Sequence, residues 1–249
     1  MEAPGYGWGI GGALSNQVYI RQLKAGRDFA VADPVAGQMA NFVYLIGDRV
    51  SRECLVVDPA WDVQGILDAA HTDDMRISGA LITHYHPDHV GGELFGHTVQ
   101  GLAELMALNP CAVHVNEHEA EGVAALTGLS QSDLVKHSGG DVVSAGAVEI
   151  QCLHTPGHTP GSQCFRCAGA LISGDTLFLH GCGRVDFPGG DSEEMYRTLT
   201  QRLSSLPDDL TLYPGHDYGT MPHAPLGNVR KTNPILNVPD LPTWRRTMG

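Results

Sequence analysis

Between Thr83 and His89 the chain places His84, His86, Asp88 and His89, four potential metal donors within six residues, directly after the apolar run Ala80-Leu81-Ile82. In a purely structural turn such a cluster would cost desolvation without return. As a ligand set it has a use, because imidazole is the commonest protein metal ligand. Four donors this close cannot all reach one ion without strain, so the spacing predicts two adjacent centres. His84 and His86, pointing the same way in an extended turn, share one ion, while Asp88 and His89, on the first turn of a following helix, face a second. His158 and His216, from later loops, each complete one set, and Asp175, a carboxylate with two oxygens, bridges both ions. The expected cofactors are two divalent metal ions, zinc first, with iron or manganese as alternatives for a His/Asp donor set. A water or hydroxide between such ions is a nucleophile near neutral pH, and the same ions stabilise a developing oxyanion. Asp88 beside it is the candidate catalytic residue, orienting the nucleophile or accepting its proton.

The elements that must position these groups follow one pattern. Ala80 to Ile82 runs into His84, Glu149 to Leu153 into His154 and His158, Ala170 to Ile172 into Asp175, and Leu210 to Tyr213 into His216. Four strand-like runs thus end in small-residue turns carrying His or Asp, as expected where strand ends present ligands. Further runs at Phe42 to Ile46, Cys54 to Val57, Cys111 to Val115 and Gln163 to Cys167 also read as strands. Helical patterns occupy Gly101 to Leu108, Glu117 to Leu126 and Ser192 to Leu206, the last with Ser192 as N-cap and Met195, Leu199, Leu203 and Leu206 as its apolar stripe. The class is therefore α/β, with 1–249 as one domain, 1–15 as a loose Gly-rich leader and 221–249 as a Pro-rich C-terminal extension unsuited to long helices. The sequence holds 13 His, 15 Lys+Arg and 28 Asp+Glu, a formal net charge of −13. That balance argues against nucleic acid as a partner. No signal segment or long apolar stretch is visible, so no membrane role and a cytoplasmic location are expected. The six cysteines read as reduced thiols, and the Cys164/Cys167 pair as two ordinary strand residues. Of the other histidines, His154 and His180 lie nearest the ligand loops.

The run Thr83-His84-Tyr85-His86-Pro87-Asp88-His89, with Gly91 and Gly92 after it, resembles the T-H-x-H-x-D-H signature of the metallo-β-lactamase-fold superfamily. Thr155 to Thr159, Ser173 to Phe178 and Gly215 to Tyr218 resemble its later metal loops, so that all seven ligand positions are filled in order over roughly residues 38–220. The resemblance implies an αββα sandwich, two mixed sheets flanked by helices, with a dinuclear site at one edge. Within the superfamily, Gly181-Cys182-Gly183-Arg184-Val185-Asp186-Phe187 is similar to glyoxalase II (hydroxyacylglutathione hydrolase) and its sister persulfide dioxygenases, which makes Arg184 and Tyr218 the substrate-binding candidates. A salt bridge from Arg184 to Asp186 or Asp191 is the alternative for that side chain. The short tail lacks the helical domain of glyoxalase II, and Arg230, Lys231, Arg245 and Arg246 are candidates to replace its contacts. The implied activity is hydrolysis of a thioester or related small acyl substrate by a metal-bridging hydroxide. The substrate would be small and anionic, a glutathione conjugate among the candidates. The rival is a mononuclear Fe(II) glutathione persulfide dioxygenase using His84, His158 and Asp175. Lactonase or β-lactamase activity ranks lower, since Asp175 stands where one large β-lactamase class has a cysteine ligand.

Overall fold

The computed structural model describes residues 16–248; the Gly-rich leader lies outside them. The first half of the chain runs β1 (Val18–Lys24), α1 (Pro34–Met39), β2 (Phe42–Asp48), β3 (Glu53–Val57), α2 (Val63–Thr72), β4 (Arg76–Leu81), the short α3 (Pro87–Val90), the hairpin β5 (Gly92–Leu94) and β6 (His97–Val99), α4 (Leu102–Leu108), β7 (Ala112–Asn116), α5 (Ala120–Thr127) and β8 (Leu134–His137). The second half runs β9 (Val142–Ala145), β10 (Val148–His154), β11 (Gln163–Cys167), β12 (Ala170–Gly174), α6 (Ser192–Arg197) with a π-helical continuation Thr198–Arg202, β13 (Thr211–Pro214), β14 (Ala224–Pro225), α7 (Leu226–Thr232) and α8 (Leu241–Met248). Each half makes one sheet, in the orders β1-β2-β3-β4-β7-β8 and β14-β13-β12-β11-β10-β9. Both are mixed: β3, β4, β7 and β8 run parallel in the first, β12 and β13 in the second, and the other pairs are antiparallel.

Side-chain alternation along the strands explains the layers. On β2, Phe42, Tyr44 and Ile46 enter the core between the sheets, whereas Val43 and Leu45 enter the core under the first helix layer. On β12, Ala170 and Ile172 face the sheet junction and Leu171 the second helix layer. Strands buried on both faces read as near-continuous apolar runs, which is how they were visible in the sequence. Three cores in four layers make the αββα sandwich. Cys164 enters the outer core and Cys167 the central one, so the C-x-x-C residues point to opposite faces and do not pair.

The stretch between the first two ligand loops adds β7, β8, α4 and α5 to the first sheet and its covering layer. In the Pro-rich tail, α7 and α8 cover the second sheet, where Trp244 is fully buried and its indole N–H donates to Ser192 O at 2.7 Å. Among the boundaries that differ from expectation are three in the helices. The N-cap of α6 is Asp191 rather than Ser192: Asp191 Oδ1 accepts from the N–H groups of Glu193 and Glu194, both at 2.9 Å, and its own N–H is held by Gly157 O. The helix widens after Arg197 instead of running regularly to Leu206, although Met195, Leu199 and Leu203 are buried as a stripe. Helix α5 starts at Ala120 rather than Glu117, because Asn116 Oδ1 accepts from His118 N–H and turns the chain there.

Strands β4, β10, β12 and β13 all deliver their C-terminal ends to one edge of the sandwich. There the sheets bond to each other directly: Gln163 N–H donates to Thr83 O at 2.9 Å, Phe42 N–H to Gly215 O at 2.7 Å and Tyr44 Oη to Pro214 O. At the opposite end β11 returns into β12 through a tight turn at Ala168 and Gly169.

Candidate metal centre

The four strand ends bring all seven expected donors together. The His84 ring lies 4.7 Å from both His86 and His158, and His86 lies 4.6 Å from His158, centroid to centroid. In the other set, His89 Nε2 and His216 Nε2 are 3.3 Å apart, each 3.4 Å from Asp88 Oδ2. Asp175 stands between the sets, with Oδ2 3.7 Å from His158 Nε2 and 3.3 Å from His216 Nε2, and Oδ1 3.5 Å from His89 Nε2. Asp88 and His89 share the single turn of α3, begun by Pro87, whose missing N–H and fixed φ suit a first helical position.

The back nitrogens of four rings are anchored, which leaves each Nε2 free to coordinate. His158 Nδ1 donates to Arg184 O at 2.6 Å and His216 Nδ1 to Met39 O at 2.8 Å. Asp58 serves the other two. Its Oδ2 accepts from His89 Nδ1 at 2.9 Å and from Thr83 Oγ1 at 2.6 Å, so the Thr83 hydroxyl in turn accepts from His84 Nδ1 at 2.9 Å. Asp58, His84 and His89 also lie close enough to hold an ion, but Nδ1 of both rings is already hydrogen-bonded within the protein. Three buried atoms in the cluster have no hydrogen-bond partner: His84 Nε2, His158 Nε2 and Asp175 Oδ1. Unpartnered polar atoms at this depth are costly unless something binds them, and two imidazoles with a carboxylate suit a divalent transition metal.

Burial pushes His84 well below the usual histidine range, His86 down to about 4, and His158 down as well. The first set is thus held neutral, the form that coordinates. In the second set burial works in the same direction but is outweighed by Asp88 and Asp175, which with Asp58 raise His89 to about 10; Asp175 chiefly raises His216. For Asp175 the balance against burial comes from His216 and His89, which hold it well below the carboxylate range; for Asp88 the same two histidines lower it.

Three side chains that organise the site were absent from the sequence expectations. One is Asp58, which follows the apolar run Cys54 to Val57 as the ligand loops follow theirs. Another is Asn41, whose Nδ2 donates to Asp88 Oδ2 at 3.0 Å. The third is buried Glu119, which accepts from Tyr85 N–H at 2.7 Å, Gly161 N–H at 2.6 Å and Thr159 Oγ1 at 2.8 Å, tying the His84-Tyr85-His86 loop to the His158 loop. His154, expected near the ligands, bonds Pro160 O at 2.9 Å, while His180 is exposed.

The substrate candidates fare differently. Tyr218 stacks on His216 at 4.7 Å and 10°, remains 55% exposed and meets Phe178 edge-on. The Arg184 guanidinium lies over Phe187 and is paired with Asp186 through Nε–Oδ1 at 2.9 Å and Nη2–Oδ2 at 2.6 Å, the alternative that its sequence neighbours offer. Phe187 in turn meets the His86 ring at 5.6 Å. Arg230 is engaged by Asp208 and by the carbonyls of Leu203, Ser204 and Leu206, and Arg245 by Glu193, so these tail cations serve the outer layer. A cavity of about 390 Å³ in that layer, lined by Leu199, Leu203, Asp208 and Arg230, lies apart from the ligand cluster.

A family model described as the Metallo-beta-lactamase superfamily matches residues 36–216. The chain belongs to the metallo-β-lactamase superfamily. Hydroxyacylglutathione hydrolase of Polaromonas sp. (strain JS666 / ATCC BAA-500) is 40% identical over 182 residues, 72% of this chain and 62% of that enzyme. The mitochondrial persulfide dioxygenase ETHE1 of Mus musculus is 31% identical over 228 residues, 88% of this chain and 80% of the relative. The crystal structure of ETHE1 from Myxococcus xanthus superposes with a TM-score of 0.76 at 26% identity, covering 92% of this chain and 89% of that one. This metallo-β-lactamase superfamily enzyme therefore has relatives of both the glyoxalase II and the persulfide dioxygenase kind, and its His/Asp clusters are of the type that binds divalent metal.

Proposed function

We propose that the chain is a dinuclear metal-dependent hydrolase that cleaves a thioester or a related small acyl compound. The observation that carries this reading is the division of the donors into two complete sets with Asp175 between them, 3.7 Å from a histidine of one and 3.3 Å from a histidine of the other. His84, His86 and His158 would hold one ion, Asp88, His89 and His216 the second, and Asp175 both. When bound, two divalent ions supply an acidified water and electrostatic stabilisation of the oxyanion and the leaving thiolate. Asp88, kept ionised by His89 and His216, orients the attacking water or takes up its proton. Tyr218, Phe178 and Phe187 form aromatic walls against His216 and His86. Arg184 is the cation for an anionic arm such as that of a glutathione conjugate, and it must exchange Asp186 to bind one. All six cysteines are free thiols, which supports a reducing compartment such as the cytosol. Among the described residues no helix is long and apolar enough to cross a membrane.

One observation favours a second reading. The unpartnered atoms belong to His84, His158 and Asp175, the two-His-one-carboxylate set of an Fe(II) dioxygenase. Element analysis together with two assays separates the readings. Two metal equivalents and thioester cleavage without oxygen are expected; one iron per chain, with oxygen uptake on a persulfide and no thioester cleavage, overturns the hydrolase.

A further inference from the structure

Between β3 and α2 the chain makes a short loop in which two residues other than glycine adopt left-handed backbone, Asp58 at φ +54° and Trp61 at φ +81°. For a bulky aromatic residue this conformation is an outlier, retained only where its surroundings over-determine it. The surroundings here are plain. Asp58 N–H donates to Leu81 O at 3.0 Å and Trp61 N–H to Gln100 O at 2.9 Å, while Asp62 caps α2 through Gly65 N–H. Asp58 uses its position to hold His89. Trp61, buried, donates its indole N–H to Asn41 Oδ1 at 3.0 Å.

That bond decides which way the buried Asn41 amide faces. An amide that gives its oxygen to Trp61 must turn its NH2 group the other way, and Asn41 Nδ2 stands 3.0 Å from Asp88 Oδ2, 3.3 Å from His89 Nε2 and 3.5 Å from His216 Nε2. The reverse orientation would set two donors against each other at Trp61 and leave Asp88 facing an amide oxygen. We infer that Trp61 and Asn41 are a positioning pair for the second metal position: the indole N–H fixes the amide, and the amide fixes the Asp88 carboxylate in its ligand orientation. The pair acts on the second set alone, since its bonds reach none of His84, His86 and His158. This inference rests on the two-ion reading.

The test is a competitive chelator titration with zinc that resolves the two binding steps, with thermal unfolding of the metal-free chains alongside. Trp61→Phe keeps the ring and removes only the N–H; Asn41→Leu keeps the size and removes the amide. Each is expected to weaken the second zinc step by about 10- to 100-fold, the range for losing a partner that orients a ligand, with the first step unchanged. Because Trp61 acts through Asn41, adding Trp61→Phe to Asn41→Leu should cost no further affinity. Equal weakening of both steps, an unchanged second step, or additive losses in the double variant would overturn the inference and leave the two-ion reading standing. A wild-type chain that takes up one zinc removes that reading and the inference with it.

Discussion

Glu119 accepts three hydrogen bonds from two loops that carry candidate metal donors, and its carboxyl is buried enough to be pushed up to about 6 from an ordinary 4.5, the bonds from Thr159, Gly161 and Tyr85 opposing the shift. An acid whose folded pKa is raised costs stability when ionised. At pH 7 that cost is about 2 kcal/mol, and it disappears as the pH falls from 6 through 4.5, where the folded chain takes up the proton first. Denaturant unfolding of the metal-free wild type and Glu119→Gln at pH 7 and pH 4.5 should therefore show wild type gaining about 1.5 kcal/mol relative to the variant on acidification. Parallel pH profiles would contradict it. Glu119 also marks the limit of what could be read in the sequence. The seven donors were legible because each follows an apolar run, and Asp58 carried the same signal after Val57. Glu119, Asn41 and the carbonyls of Arg184 and Met39 had none, since their roles exist only once distant loops meet.

At the scale of elements, the strands that no apolar run announced are β1, β8, β9 and β14, each at a sheet edge, together with the β5–β6 hairpin outside both sheets. An edge strand carries charge that discourages pairing with other chains, as Arg21 and Lys24 do on β1, and so loses the continuous apolar signature of a central strand. Helix α6 reaches the site through its beginning. Asp191 bonds Gly157 O, one residue before His158, and Gly157 has φ +139° with Met195 so close that a Cβ would lie 2.5 Å from its Cα. Gly157→Ala thus adds both backbone strain and overpacking, a loss of roughly 3 kcal/mol. Urea unfolding should show that loss, and metal analysis a weakened first set, because the displaced loop carries His158. A variant as stable as wild type would mean that α6 yields freely.

Across the whole molecule the donors come from His84 at the end of the first sheet to His216 near the end of the second, so bound ions would clamp the two sheets together where they already bond edge to edge. Ligands that bind only the folded state stabilise it by mass action, about 2.7 kcal/mol for each ion at a hundredfold excess over Kd. For a chain of this size that is a fall in Tm of roughly 5–10 °C for each ion removed. Calorimetry with and without a strong chelator checks it, and coincident transitions would show that the folded chain binds the ions no more tightly than the unfolded one.

The tight turn at Ala168 and Gly169 sits at the other end of β11 and β12, with open space around Gly169. Since every candidate donor is gathered at the opposite rim, this tip is separated from the candidate metal centre by the full length of two strands. It is a place where the chain can carry a label or a tether to a surface while the ligand loops keep their geometry.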